Sequence, residues 1–159
     1  MAYLVLKYLH VIGAAVLLGT GAGIAFFMLL AHRTGEAATV ASVTRMVVIA
    51  DFVFTATAVV AQPVTGIALA LTAGYSLHQG WIALSILLFL VTGAFWLPVV
   101  WMQMKMRDLA ERAAAQGSPL PPRYHRLFRT WFAFGIPAFA AVLAIYWLMV
   151  AKPRLPWLG

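Results

Sequence analysis

YLVLKYLHVIGAAVLLGTGAGIAFFMLL, residues Tyr3–Leu30, decides the fold. Only Lys7 and His10 interrupt its apolar character. A helix crosses the hydrocarbon core of a bilayer with about 20 mostly apolar residues, so this stretch is long enough to span. It exceeds the roughly 7–15 apolar residues of a signal peptide, and no small-residue cleavage site follows it, so it reads as a retained span. His10 sits about two turns inside its start. A titratable side chain at that depth is costly in lipid and is a functional candidate by default.

Three more apolar stretches follow. The spans are expected at about residues 3–31, 43–73, 81–104 and 131–151, in one domain covering residues 1–159. The fold class is therefore an all-α membrane protein, a bundle of four transmembrane helices. Hydrophobic residues make up 64% of the chain and charged residues 9%, against about 25% charged in an ordinary soluble domain. Span two contains Pro63, which has no N–H to donate and crowds the carbonyl of Val59, so a kink is expected at Val59–Gln62. Span three is expected to continue as a polar helical extension, Lys105–Gln116, ended by GSPLPP (Gly117–Pro122).

The net charge of +7 would suggest nucleic acid in a soluble protein. Here the basic residues gather in the loops, so their meaning is topological and no nucleic-acid surface is expected. Arg33, Arg45, Lys105, Arg107, Arg112, Arg123, Arg126 and Arg129 belong to one side, and Lys7, Lys152 and Arg154 to the other. The richer side is expected in the cytoplasm, which puts both termini on the periplasmic side of a bacterial inner membrane. Trp81, Trp131 and Trp147 are expected near span ends, as an aromatic belt. The chain has no cysteine, which excludes disulfides, thiolate metal sites and covalent haem attachment.

Helical spacing sorts the polar residues into stripes. Tyr3, His10, Ala14, Leu17, Gly21, Met28 and His32 share a face of span one. Asp51, Thr55, Ala58, Gln62 and Gly66 share a face of span two, with Thr65 beside them. Ser85, Thr92, Trp96 and Gln103 align on span three. Lipid cannot satisfy such groups, so the stripes should point into the bundle, where the hydroxyls and Gln103 are expected to bond neighbouring helices. Asp51 must pair or take up a proton, and Arg45, Arg129 and His32 are its candidate partners. Gly19 and Gly23 have the GxxxG spacing that permits close helix packing, and with Gly21 they are alternatively room for a flat cofactor.

Two chemistries are candidates from the residues. Haem b needs an axial histidine and apolar walls. His10 is one ligand, with His78 or Met149 as the second or with none. Copper at Met102, Met104 and Met106 is disfavoured because helical spacing splays the three around the helix.

The runs KYLHVIGAAVLLGTGAGIAFFMLLAHRTG (Lys7–Gly35), AQPVTGIALA (Ala61–Ala70), FWLPVVWMQMKMRDLA (Phe95–Ala110) and PPRYHRLFRTWFAFGIPAFAAVLAIYWLMVAKP (Pro122–Pro153) resemble a family of small bacterial integral-membrane proteins, domain of unknown function 2269. That resemblance implies a four-helix membrane protein and no particular activity. More remotely, Lys7-Tyr8-Leu9-His10, the glycines Gly19–Gly23 and His32 resemble HemJ-type protoporphyrinogen oxidases and copper-resistance D-like membrane domains. The HemJ-type likeness implies haem b on His10. It departs at the deeper lysine of that family, for which this chain has no counterpart before Lys105. The pocket expected for haem comprises His10 as iron ligand with Gly19, Gly21, Gln62, Thr65 and Gly66. The alternative function is a non-catalytic membrane subunit or scaffold that forms a homo-oligomer or docks on a larger complex.

Overall fold

The computed structural model describes residues 1–155. Helix α1 spans Ala2–Thr34, α2 Ala37–Ala50, α3 Ala56–Thr72, α4 Gly80–Ala115 and α5 Pro122–Ala151. A π-helical turn, Asp51–Thr55, joins α2 to α3, so Ala37–Thr72 acts as one span of 36 residues. The four resulting helical rods are each long and apolar enough to cross a membrane. The protein is an all-helical, four-span integral membrane protein.

Local chemistry sets the rod ends. Gly35 closes α1 at φ 70°, donating its N–H to the His32 carbonyl, a left-handed conformation that glycine adopts without penalty. After Gly117 (φ 60°) the proline-rich loop leads to Pro122 at the start of α5, where a missing N–H costs nothing. The extension Lys105–Ala115 is helical, as expected. Span four starts at Pro122, earlier than the apolar pattern indicates, because its first turns are polar and lie beyond the apolar run. The irregularity of span two stands at Asp51–Thr55, and α3 runs without interruption through Val59–Gln62 and Pro63.

Packing is uneven along the rods. The core joins Ile24, Met28 and Ala31 of α1, Val40, Ala41 and Val47 of α2, Met102, Met106 and Ala110 of α4, and Tyr124, Phe128 and Trp131 of α5. All lie toward the end that carries the arginine-rich loops. At the other end, α3 packs on α1 but has no substantial contact with α4 or α5, and α1 touches α5 only sparsely. The two helix pairs, α1–α3 and α4–α5, therefore stand apart there. Lys152 spans the terminal end, its Nζ 3.3 Å from the Tyr75 hydroxyl and over the Tyr75 and Trp81 rings.

Trp131 departs from its expected place. It is buried within the core of the arginine-rich half rather than at a span end, because α5 begins nine residues before it. Trp147 is exposed close to the C-terminal end of α5, as a belt residue would be.

Candidate functional site

His10 and the polar stripe of span two meet where α1 crosses α3. The His10 Nδ1 lies 3.0 Å from Thr65 Oγ1. The Thr65 hydroxyl donates its own proton to the Ala61 carbonyl at 2.8 Å, so its oxygen is left to accept from Nδ1–H. This fixes the neutral tautomer and leaves the lone pair on Nε2. In return, Gln62 Nε2 donates to the His10 carbonyl at 2.9 Å.

Two glycines make this exchange possible. A Cβ on Gly66 would stand 2.9 Å from His10 Cε1, and a Cβ on Gly13 would overlap the Gln62 amide nitrogen. Each helix thus offers a glycine notch to the other's polar side chain. Gly13 was not singled out in the sequence. Its signal is its place one turn from His10, opposite the stripe of span two.

The six residues expected around haem divide. His10, Gln62, Thr65 and Gly66 come together. Gly66 leaves no gap for a ring, because the imidazole itself covers it. Gly21 lies about 16 Å further along α1, lining the cleft rather than the His10 contact. Gly19 faces outward. A Cβ placed on Gly19, Gly21 or Gly23 meets no atom of another element within 4 Å, so the GxxxG edge makes no tight packing among the described residues. The close approaches occur at Gly13 and Gly66, where a neighbouring side chain enters the notch.

The cleft lies between the two helix pairs and has a volume of about 500 Å³. Ala14, Leu17 and Gly21 of α1, Val59 and Gln62 of α3, Phe89 and Gly93 of α4, and Gly135, Phe139 and Leu143 of α5 are among its walls. Gly21, Gly93 and Gly135 have no neighbour that a Cβ would meet, so their missing side chains widen the space. Ile136 and Leu143 line it and are also exposed, so it opens sideways between the rods.

At the inner end of the cleft the stripes expected on spans two and three converge. Asp51 and Thr55 of the π turn, Trp96 and Gln103 of α4, and Trp131 of α5 all line it. Asp51, Thr55 and Gln103 are 3%, 7% and 1% exposed. The Trp96 indole N–H reaches Asp51 Oδ1 only at 3.5 Å, long for a hydrogen bond. Asp51 Oδ2, Thr55 Oγ1, Gln103 Oε1 and Trp131 Nε1 have no close hydrogen-bond partner among the described residues. The Tyr146 hydroxyl, further along the cleft, is a fifth such atom; buried polar atoms in native proteins are overwhelmingly paired, so five orphans around one space are unusual.

The π turn accounts for one of them. Ser85, Thr92 and Thr44 each donate to the carbonyl four residues back on their own helix. That outcome replaces the expected bonds to neighbouring helices, since the carbonyl on the same helix is always within reach. In the π turn the Asp51 carbonyl accepts from the Ala56 N–H instead, and Thr55 has no such bond. Single π turns occur often at functional positions.

None of the expected cations pairs with Asp51. Arg45 pairs with Glu111 at 2.8 Å. His32 stacks on Phe128 with ring centroids 3.7 Å apart, and its T-shaped neighbour is His125. Arg129 forms no ion pair among the described residues. The 14 residues of α2 separate Asp51 from the loop that follows α1, about 21 Å of helix, and the exposed Arg45 lies within that stretch.

The remaining candidate ligands stay apart. His78 is exposed in the loop after α3, and Met149 is half-buried on α5. Met102 and Met106 are core residues, with Met104 turned away from them. Among the described residues, no group of three or more His, Cys, Asp or Glu is placed to hold a metal ion.

No curated protein and no solved structure matches this chain. The model of one family, described as a predicted integral membrane protein (DUF2269), matches residues 4–153, and with nearly its whole length covered the chain belongs to that family.

Proposed function

We propose that the protein binds a lipid-soluble small molecule inside the membrane, in the cleft between the α1–α3 and α4–α5 pairs. The observation that carries this reading is a sideways-open apolar space of about 500 Å³ with unpaired, buried polar atoms at its inner end. Small-molecule sites have this composition: apolar and aromatic walls with a few convergent polar groups. Entry from the lipid phase is consistent with the opening between rods. The arginine-rich end faces the cytoplasm of a bacterial inner membrane in this reading, by the excess of basic residues there.

Two tryptophans in the cleft supply the test. In a variant with Trp81, Trp101, Trp147 and Trp157 replaced by Phe, only Trp96 and Trp131 report. Quenching by 1-bromododecane in nanodiscs is expected to saturate. Gly135→Leu, which fills the space, should abolish the saturable part. Quenching that rises linearly and is unchanged by Gly135→Leu would defeat the reading.

One observation favours a second reading, haem b bound through His10. The imidazole is held at Nδ1 by Thr65, while Nε2 has no hydrogen-bond partner among the described residues, the arrangement of histidines that bind metals. The donor atom fits. The space expected beside Gly19 and Gly66 does not fit, so ring space would have to come from the cleft wall at Ala14 and Gly21, which begins one turn from His10. When bound, haem would supply redox chemistry, and His10, Thr65 and Gln62 would hold and orient its iron ligand. A Soret band in protein expressed with haem, abolished or shifted by His10→Ala, is the expected sign; wild type without a band rejects this reading.

A further inference from the structure

We infer that the cleft selects a molecule with a protonated amine on an apolar chain, the amine seated at Asp51. This rests on the ligand-binding reading above and names the ligand class.

At the inner end of the cleft the donors of Thr55, Trp96 and Gln103 approach Asp51 only loosely. Asp51 Oδ2, Thr55 Oγ1 and Gln103 Oε1 all lack a close hydrogen-bond partner among the described residues, and all three residues are more than nine-tenths buried. Thr55, Trp96 and Gln103 are the polar side chains that face Asp51. Two of the orphans accept only, and the Thr55 hydroxyl accepts or donates. An ammonium group brings three N–H donors to three oxygens. It also brings the positive charge that a buried carboxylate needs, which no cation of the chain supplies among the described residues.

Other head groups match less well. A carboxylate or phosphate would place a second anion beside Asp51. A hydroxyl brings one donor for three acceptors. The orphan donors of the cleft, Trp131 Nε1 and the Tyr146 hydroxyl, each carry a single proton and pair with no more than one acceptor as donors. The walls fit the tail: they are apolar along their length, and the space opens toward lipid. The π turn belongs to the device, because it frees the Thr55 hydroxyl from the backbone bond that Ser85 and Thr92 make.

The test is competition against 1-bromododecane in the Trp96/Trp131 reporter protein, in nanodiscs of zwitterionic lipid. Dodecylamine, dodecan-1-ol and dodecanoic acid share one chain and differ in head. Dodecylamine is expected to displace the probe at a concentration at least about tenfold below dodecan-1-ol, the margin of a charge-assisted over a neutral hydrogen bond. Asp51→Asn should erase that margin while leaving displacement by the alcohol. Equal displacement by amine and alcohol in wild type overturns the inference and leaves the ligand-binding reading standing; it is the result for a protonated Asp51 bonded to Gln103. An amine preference that survives Asp51→Asn also overturns it. If Asp51→Asn does not fold, the wild-type comparison decides, and Gln103→Leu should reduce the amine preference severalfold. Absence of saturable quenching by 1-bromododecane is the separate failure of the cleft itself.

Discussion

The two halves of the bundle are built on opposite rules. In the arginine-rich half, Met28, Val40, Met106 and Tyr124 are fully enclosed and four rods meet. In the terminal half, α1 and α3 stay in close contact on one side of the cleft, through His10, Gln62 and two glycine notches. Lipid tails are as apolar as the side chains, so association inside a membrane comes from packing and hydrogen bonds rather than from water exclusion. One half uses packing over a broad surface. The other concentrates a few polar contacts on one helix pair and leaves the second pair free to stand off. Stability and ligand space are thereby assigned to different heights of the same helices.

The largest effect should come from the packed half. Met106→Ala leaves a void in the four-rod core, and a loss of about 2 kcal/mol in unfolding free energy is expected, the low end for such truncations because transfer to lipid contributes little. Thermal unfolding in detergent measures it. A negligible loss would mean that the core does not carry the fold. Gly66→Ala comes next, at about 1–2 kcal/mol, because the new methyl meets the His10 ring. Combining it with His10→Ala should recover much of that loss, and a double-mutant cycle reads the coupling. Strict additivity would show that the notch does not work through His10.

Thr65→Val should cost about 1 kcal/mol, since it removes the acceptor of the imidazole N–H. It should also weaken haem retention if the Soret test is positive. The smallest change is expected from Gly93→Leu in the cleft, with stability within about 0.5 kcal/mol of wild type because nothing stands where the side chain would go. A pronounced destabilisation there would erase the contrast between the halves and identify the cleft as packed structure.

The polar stripes were the most informative part of the sequence. Asp51, Thr55, Ala58 and Gln62 are all buried on one face, as their spacing requires, and Ser85, Thr92, Trp96 and Gln103 turn toward the same interior. His10 stands against Gly66 across the helix pair, as its height in the span requires. The π turn was not legible, because Pro63 draws the irregularity toward itself on sequence grounds while the extra residue is absorbed earlier, at Asp51–Thr55. The partners expected for Asp51 do not reach it for a related reason. Arg45 shares its span but faces Glu111 on α4, and facing is a property of packing rather than of distance along the chain.

The sequence by itself determined that four apolar stretches of sufficient length must become four helices, because only a closed internal set of backbone hydrogen bonds survives in lipid. It also determined which face of each helix cannot be left against acyl chains. Only the tertiary structure decided how those faces divide the interior. Which glycine receives which side chain, and whether a gap closes or stays open, depend on the angle and offset between rods. Those are set jointly by contacts from all four spans, and no single stretch encodes them.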